Sequence, residues 1–333
     1  MAEIIRAVQF GCGPIGCSIA RLASTKPNIE IVGAADLTHA GRDLADVADM
    51  GTSNGVIISD SIDEVLSHNK PDIILHATGS SLKEVSPQLE TVIKAGCNIV
   101  STCEELSYPF RTQPVLSASL DALARKHEVT VLGTGINPGF LMDTWPLVMT
   151  GICQHVDEIR AVRIQDASKR RIPFQQKIGA GRTVEEFQKL VDEGSIRHVG
   201  LPESAALIAA GLGWELDDIT ETIEPIVADS KVSSDYLTVE PGQAAGVRQV
   251  AHGIIDGKRK VTLEFQAYIG AEESYDAIYV TGTQNVEAII KGGTHGDLGT
   301  AAVVVNSIPR VVEARPGLLT MKDLPVVSAL PNS

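Results

Sequence analysis

The sequence predicts an α/β protein: an N-terminal doubly wound domain followed by a smaller α+β domain with a mixed or antiparallel sheet. Three observations carry this. Short, continuously apolar runs recur through the first third, separated by helical patterns, as in a parallel sheet covered on both faces. A G-x-G-x-x-G spacing, Gly11, Gly13 and Gly16, directly follows the first of those runs. Past about residue 140, period-two alternation takes over, the mark of a half-solvated sheet. The expected domains are residues 1–140 and 141–298, with a C-terminal helix over 299–333 packing back on the first.

Each element has its own signal. "IIRAVQF" reads as a strand, and "PIGCSIARLAST" as a helix with Pro14 in its first turn. "IEIVGAAD", "DIILHATG" and "NIVSTC" are further strands, and "SPQLETVIKAG" is a helix ended by Gly96. "QPVLSASLDALARKH" is helical and leads into the strand "VTVLGTG". In the second domain, "VDEIRAVRIQDAS" and "KRKVTLEFQAYIG" alternate as strands, whereas "TVEEFQKLVDEG" and "PESAALIAAGLG" are helical. "GTAAVVVNSIPRVVEARPG" is a last helix, stopped by Pro316 and Gly317.

Composition narrows the function classes. The 333 residues are 44% hydrophobic and 21% charged, the balance of a globular enzyme. Lys+Arg 28 against Asp+Glu 42 gives a net charge of -14, which disfavours nucleic acid and anionic membranes as partners. No apolar stretch reaches the roughly 18 residues of a membrane span. The N-terminus lacks a basic, then apolar, leader. Cys12, Cys17, Cys97, Cys103 and Cys153 are odd in number and lack C-x-x-C spacing. Reduced thiols, a cytoplasmic location and no metal are the expectation.

The glycine motif gains weight from its surroundings. A strand precedes it, a helix follows, and the next apolar strand ends in Asp36, 20 residues after Gly16. Together these form a dinucleotide-binding (Rossmann) fingerprint. Gly11 suits the tight turn, Gly13 the approach of a pyrophosphate, and Gly16 close packing of the helix. Pro14 and Ile15 open the helix whose N-terminus faces the phosphates. A carboxylate at Asp36 accepts from a ribose diol and repels a 2′-phosphate, so of NAD or NADP it favours NAD. Thr78 and Gly79, and Thr102 and Cys103, end later strands on the same edge and are expected to face the cofactor.

The chemistry is expected beside them. In "STCEELSYP", Glu104 and Glu105 follow a strand at the edge where doubly wound sheets bind ligands. A carboxylate there can hold an ammonium or serve as a general base. Neighbours in extended chain point to opposite sides, so at most one faces substrate. In "GTGINPGFLMD", Asn137, with both a donor and acceptors, is a candidate for cofactor and substrate, and Pro138 and Gly139 for substrate. A hinge between domains is the other reading of that loop. Arg171, in the basic run "DASKRRIPFQQKIGAG", is a candidate anchor for a substrate carboxylate, against a solvated surface. His295, in "GGTHGDLGT", is a further substrate candidate.

The segments "GCGPIG", "STCEELSYP", "GTGINPGFLMD", "RRIPFQQKIGAG" and "GDLGTAAVVVNSIPRVVEARPGLLTMKDLP" together resemble the 2,4-diaminopentanoate dehydrogenases and the related native amine dehydrogenases, over nearly the whole chain. The more distant resemblance is to dihydrodipicolinate reductase and homoserine dehydrogenase. The family resemblance implies reversible, NAD(P)-dependent oxidative deamination of a small amine, run backwards as reductive amination of a ketone with ammonia. It also implies a key glutamate in the loop after the fifth strand, mapped to Glu104 first and Glu105 second. A homodimer, with the second domain's sheet at the interface, is implied as well. The competing readings are an imine or carbonyl reductase of the dihydrodipicolinate reductase type and a non-catalytic NAD(P)-binding redox sensor. The "KRR" run has no histidine beside it, which disfavours the first; a sensor needs no acid–base group, which disfavours the second.

Overall fold

The computed structural model describes residues 4–332 and divides into two compact units: residues 4–140 with 295–332, and residues 141–294. In the first unit the chain runs β1 (Ile5–Phe10), α1 (Pro14–Ala23), β2 (Ile29–Ala35), α2 (Leu44–Ala48), β3 (Ile58–Ser59), α3 (Ile62–Asn69), β4 (Ile73–His76), α4 (Leu82–Lys94), β5 (Asn98–Ser101), α5 (Pro114–Lys126) and β6 (Thr130–Gly133). A 3₁₀ turn, Glu104–Ser107, lies between β5 and α5. The strands carry unbroken apolar character because both faces are covered. Ile73, Ile74 and Leu75 of β4 are fully buried, and Ile74 packs in one core with Leu82, Leu89 and Ile93 of α4.

The second unit contains α6 (Thr144–Thr150), β7 (Val156–Asp166), α7 (Ile172–Lys177), α8 (Val184–Asp192), α9 (Leu201–Leu212), β8 (Asp218–Val227), β9 (Val232–Ser233), β10 (Thr238–Val239), β11 (Ala244–Ile255), β12 (Lys258–Tyr268), β13 (Tyr275–Gly282) and β14 (Val286–Lys291). Its main sheet has the order β14-β13-β7-β12-β11-β8. It is mixed: β7 and β12 are parallel and the other pairs antiparallel. The helix α9 packs on β11 and β12 and covers one face. The register places Arg160, Glu264, Arg248 and Glu224 on the other face, where they form a row of ion pairs.

A buried ion pair sits under the helix-covered face. Arg163 Nη1 donates to Asp276 Oδ1 at 2.8 Å, with both side chains 3% exposed. The same two residues hold both backbone polar groups of one residue, Thr294. Arg163 Nη2 donates to the Thr294 carbonyl at 2.7 Å, and the Thr294 N–H donates to Asp276 Oδ2 at 2.7 Å. Thr294 is the last residue of the second unit.

The chain re-enters the first unit through α10 (Gly296–Val312) and β15 (Gly317–Leu319). This corrects the expected helix over 299–333. The helix starts three residues earlier, where His295 accepts from the Leu298 N–H as its cap, and it stops at Val312. Gly317–Leu319 instead extends the sheet, because β6 offers a free edge and Asp121 Oδ1 accepts the Leu318 N–H at 2.9 Å. The helix α10 packs on α1 and β5. Among the described residues the first unit's sheet is parallel throughout, with the order β15-β6-β5-β4-β1-β2-β3. Strand order therefore reverses between β1 and β4, the switch point at which such sheets bind ligands.

Candidate active site

Five loops meet at the C-terminal edge of this sheet. The glycine loop after β1 lies against the end of β4: Gly11 has φ +90, and a Cβ there would sit 2.5 Å from the Ala77 carbonyl oxygen. A Cβ on Gly16 would overlap the Gly11 carbonyl oxygen, so the helix start and the turn pack without room for a side chain. Above Gly13 there is open space, with nothing within 4 Å of where a Cβ would stand. Pro14 and Ile15 follow in the first turn of α1. Pro14 supplies a preset φ and needs no hydrogen bond, and the N–H groups of a first helical turn have no partner within the helix. This open cradle at a helix N-terminus fits a diphosphate.

Asp36 closes the far side of the cradle. Its Oδ2 accepts the Cys12 N–H at 2.7 Å, and its Oδ1 accepts the N–H groups of Thr38 and His39 at 2.8 and 3.0 Å. Burial alone would raise its pKa. The three backbone donors and the nearby His39 outweigh that and hold it below the usual carboxylate range. Asp36 is therefore a fixed anion at the tip of β2, 15% exposed.

On the other side of the switch point, Thr78 and Gly79 follow β4. The Thr78 hydroxyl turns inward and donates to Gln88 Oε1 at 2.6 Å, so its methyl faces Gly11. Thr102 N–H donates to the His76 carbonyl at 2.9 Å, which ties the end of β5 to β4. Cys103 is buried, and its thiol donates to the Ser80 carbonyl at 3.2 Å; burial pushes its pKa up to about 12, so it is an inert thiol.

Glu104 and Glu105 open the 3₁₀ turn that follows, and they part company. Glu105 Oε2 accepts the Leu82 N–H at 2.7 Å and Gln113 Nε2 at 2.7 Å, capping the start of α4. Glu104, half-buried, begins the turn, and its carbonyl accepts from the Ser107 hydroxyl at 2.8 Å. β6 runs directly beneath: a Cβ on Gly133 would overlap the Leu106 backbone. Asn137, Pro138 and Gly139 follow β6, near α10, whose Thr300 hydroxyl accepts the Ile136 N–H at 3.3 Å. His295 is exposed at the start of α10 in this same unit. Arg171 belongs to the second unit, exposed at the start of α7.

Sequence reasoning missed one group at this edge. His76, 1% exposed, ends β4 between the two loops. Its Nδ1 lies 2.7 Å from Ser101 Oγ, and its Nε2 lies 2.9 Å from Gln88 Oε1 and 2.8 Å from Thr78 Oγ1. Burial pushes the pKa of His76 down to about 4, and that of the buried His198 in the second unit to about 3. An imidazole in an unfolded chain takes up a proton below about 6.5, so folding is opposed by protonation. The stability these residues contribute is complete above pH 6.5 and is lost as the pH falls toward their folded values, on the order of 3 kcal/mol for His76 and about 5 kcal/mol for His198. Urea titrations at pH 7.5, 6 and 5 should show that decline, and His198→Phe should flatten it. An unchanged pH dependence in that variant would exclude His198 as a source.

The comparisons with known proteins agree with this architecture and sharpen it. The family model described as the 2,4-diaminopentanoate dehydrogenase C-terminal domain matches residues 140–333. The 2,4-diaminopentanoate dehydrogenase of Acetoanaerobium sticklandii is 34% identical over 337 residues, covering 98% of this chain and 95% of that protein. The solved amine dehydrogenase of Mycobacterium smegmatis matches with a TM-score of 0.85 at 27% identity, over 99% of this chain and 98% of that one. Dihydrodipicolinate reductase from Paenisporosarcina sp. TG-14 shares the fold at 13% identity and a TM-score of 0.55, over 96% of this chain and 99% of that one. The family model takes in more than half of the residues, and the 34% identity extends over nearly all of them. On both counts this chain belongs to the 2,4-diaminopentanoate dehydrogenase family of oxidoreductases.

Proposed function

We propose that this protein is an NAD(P)-dependent amine dehydrogenase that oxidatively deaminates a small amine, 2,4-diaminopentanoate or a related short-chain amine, and runs in reverse as reductive amination of the ketone. The observation that carries the reading is the division of labour between neighbouring carboxylates. Glu105 caps α4, and Glu104, which opens the 3₁₀ turn after β5 on the edge shared with the glycine loop, is the proposed acid–base group. Membership of the family supports the substrate class.

The cofactor would be held by the Gly11–Gly16 loop, Asp36, the Thr78–Gly79 and Thr102–Cys103 backbone, and Asn137. When bound, it supplies the acceptor for a hydride from the substrate carbon. Everything else falls to the protein. An ammonium nitrogen has no lone pair with which to push out a hydride, so the substrate must first lose a proton, which Glu104 accepts. The C–H bonding pair then leaves as hydride, and the nitrogen lone pair forms the C=N bond of an iminium. Water adds to that carbon, the C–N bond breaks, and ammonia departs to leave the ketone. In the amination direction Glu104, protonated, returns its proton to the nitrogen. Asn137, Pro138, Gly139 and His295 are the proposed substrate contacts of the first unit.

Asp36 sets the proposed preference for NAD. Asp36→Ala should raise the Kd for NADH about tenfold, the scale of one or two charge-assisted hydrogen bonds, and narrow the gap to NADPH. Fluorescence titration with both nucleotides measures this; an undiminished preference for NADH would remove Asp36 as its source. The open, ion-paired face of the second unit's sheet, spread over six strands, is the proposed homodimer surface. The decisive assay is a panel of 2,4-diaminopentanoate, simple alkylamines, homoserine and alanine, scored by NAD(P)H formation at alkaline pH. NADH binding without oxidation of any amine, or reduction of any ketone in ammonia, would instead favour the sensor.

A further inference from the structure

With the Gln88 amide oxygen turned toward the ring, the hydrogen bonds around His76 take one consistent set of directions. Gln88 Oε1 is an acceptor and already takes the Thr78 hydroxyl proton at 2.6 Å, so the His76 Nε2 facing it at 2.9 Å must carry the imidazole hydrogen. The Thr78 oxygen, having given its own proton to Gln88, accepts from the same Nε2–H at 2.8 Å. Nδ1 is then bare and accepts the Ser101 hydroxyl proton at 2.7 Å. That leaves the Ser101 oxygen free to accept the Cys103 N–H at 3.1 Å. The chain of donors runs Cys103 N–H to Ser101, Ser101 to His76, and His76 to Thr78 and Gln88. Its two ends lie in different loops: Thr78 faces the glycine turn, and Cys103 immediately precedes Glu104.

We propose that His76 is a positioning residue whose oriented imidazole locks the cofactor loop at Thr78 to the turn that carries Glu104. The proposal rests on the reading of Glu104 as the acid–base group and of the β4 loop as a cofactor contact. Burial keeps the ring neutral, so it transmits geometry and carries no proton. The edge of Phe10 or of His76 faces the other's ring, with centroids 5.5 Å apart, and fixes the imidazole against β1 as well. In such an arrangement the two ring nitrogens serve two functions, and replacing each in turn should separate them.

His76→Asn retains an acceptor near Nδ1 for Ser101 and loses the donor at Nε2. It should raise the Kd for NADH about five- to tenfold, the scale of one or two lost hydrogen bonds, with kcat within about twofold of the parent. His76→Gln extends a donor toward the Nε2 position and loses the acceptor at Nδ1. It should leave the Kd for NADH within about twofold and lower kcat about tenfold, with a shift in the acid limb of the pH–rate profile. Ser101→Ala, a smaller change, should follow His76→Gln in lowering kcat at constant Kd. Equal losses in Kd and kcat in both His76 variants would mark mere packing and overturn the proposal. So would a Ser101→Ala enzyme with parental kcat and pH profile. The Kd is read by fluorescence titration without turnover. If Glu104→Gln retains full turnover, the acid–base reading fails, whereas a Kd difference between the two His76 variants still supports the Thr78 arm. If Glu104→Gln is inactive and the His76 variants are indistinguishable, only the lock fails.

Discussion

Glu104→Gln is expected to lower kcat at least about 100-fold, the low end of a general acid–base contribution, with the Kd for NADH unchanged. The amide retains the size of the carboxylate and can hydrogen-bond, but it cannot take a proton from an ammonium at any working pH. The loss should persist at alkaline pH if Glu104 also positions the amine, and should shrink if deprotonation is its whole role. Glu105→Gln is the contrasting variant. Its amide oxygen can still accept from the Leu82 N–H and the Gln113 amide but is a weaker acceptor than the carboxylate, so its cost falls on stability, about 1–2 kcal/mol, with turnover within a few-fold of the parent. A fully active Glu104→Gln with an inactive Glu105→Gln would move the acid–base role by one residue.

Asp276→Ala is expected to cost about 3–5 kcal/mol of folding stability, the scale for stranding one member of a buried ion pair. Arg163 would keep its charge in a site 3% exposed and lose its counter-ion, while the Thr294 N–H would lose its acceptor. Arg163→Met combined with Asp276→Leu should recover much of the loss by removing both charges. It should not recover all of it, because the Thr294 N–H loses its carboxylate acceptor and the Thr294 carbonyl keeps only the Gln165 Nε2 donor at 3.2 Å. Denaturant titration of the three proteins checks this. A single variant within about 1 kcal/mol of the parent, typical of an exposed ion pair, would show that Asp276 is not needed to neutralise Arg163.

The sheet of the first unit was legible in the sequence because a parallel strand buried on both faces must be apolar at every position. "DIILHATG" advertises itself in that way, and Gly11, Gly96 and Asp36 punctuate the pattern. The second unit was harder to read. Its interior strand β11, "AAGVRQVAHGII", has Gly246 and Gly253 and little alternation, since its neighbours crowd it on both sides. β15 was hidden for a different reason: three residues carry no periodicity, and only the free edge of β6 makes them a strand. At the candidate site, the glycine loop, Asp36 and the Glu-Glu pair stood out by type and spacing. The roles of Glu105 and His76 did not, because they depend on partners 23 and 25 residues away along the chain. Nothing local distinguishes a capping carboxylate from a catalytic one.

The position of β15 has a consequence for biosynthesis. The strand completes a sheet whose other six strands have all been synthesised once Gly133 is added, yet about 180 further residues separate it from β6. At a synthesis rate of about 5–20 residues per second, the exposed edge of β6 waits for roughly 10–40 seconds on the ribosome. Throughout that interval it is an unpaired strand of the kind that recruits foreign chains. A nascent polypeptide arrested before Gly317 should therefore be more prone to chaperone capture than one released at full length.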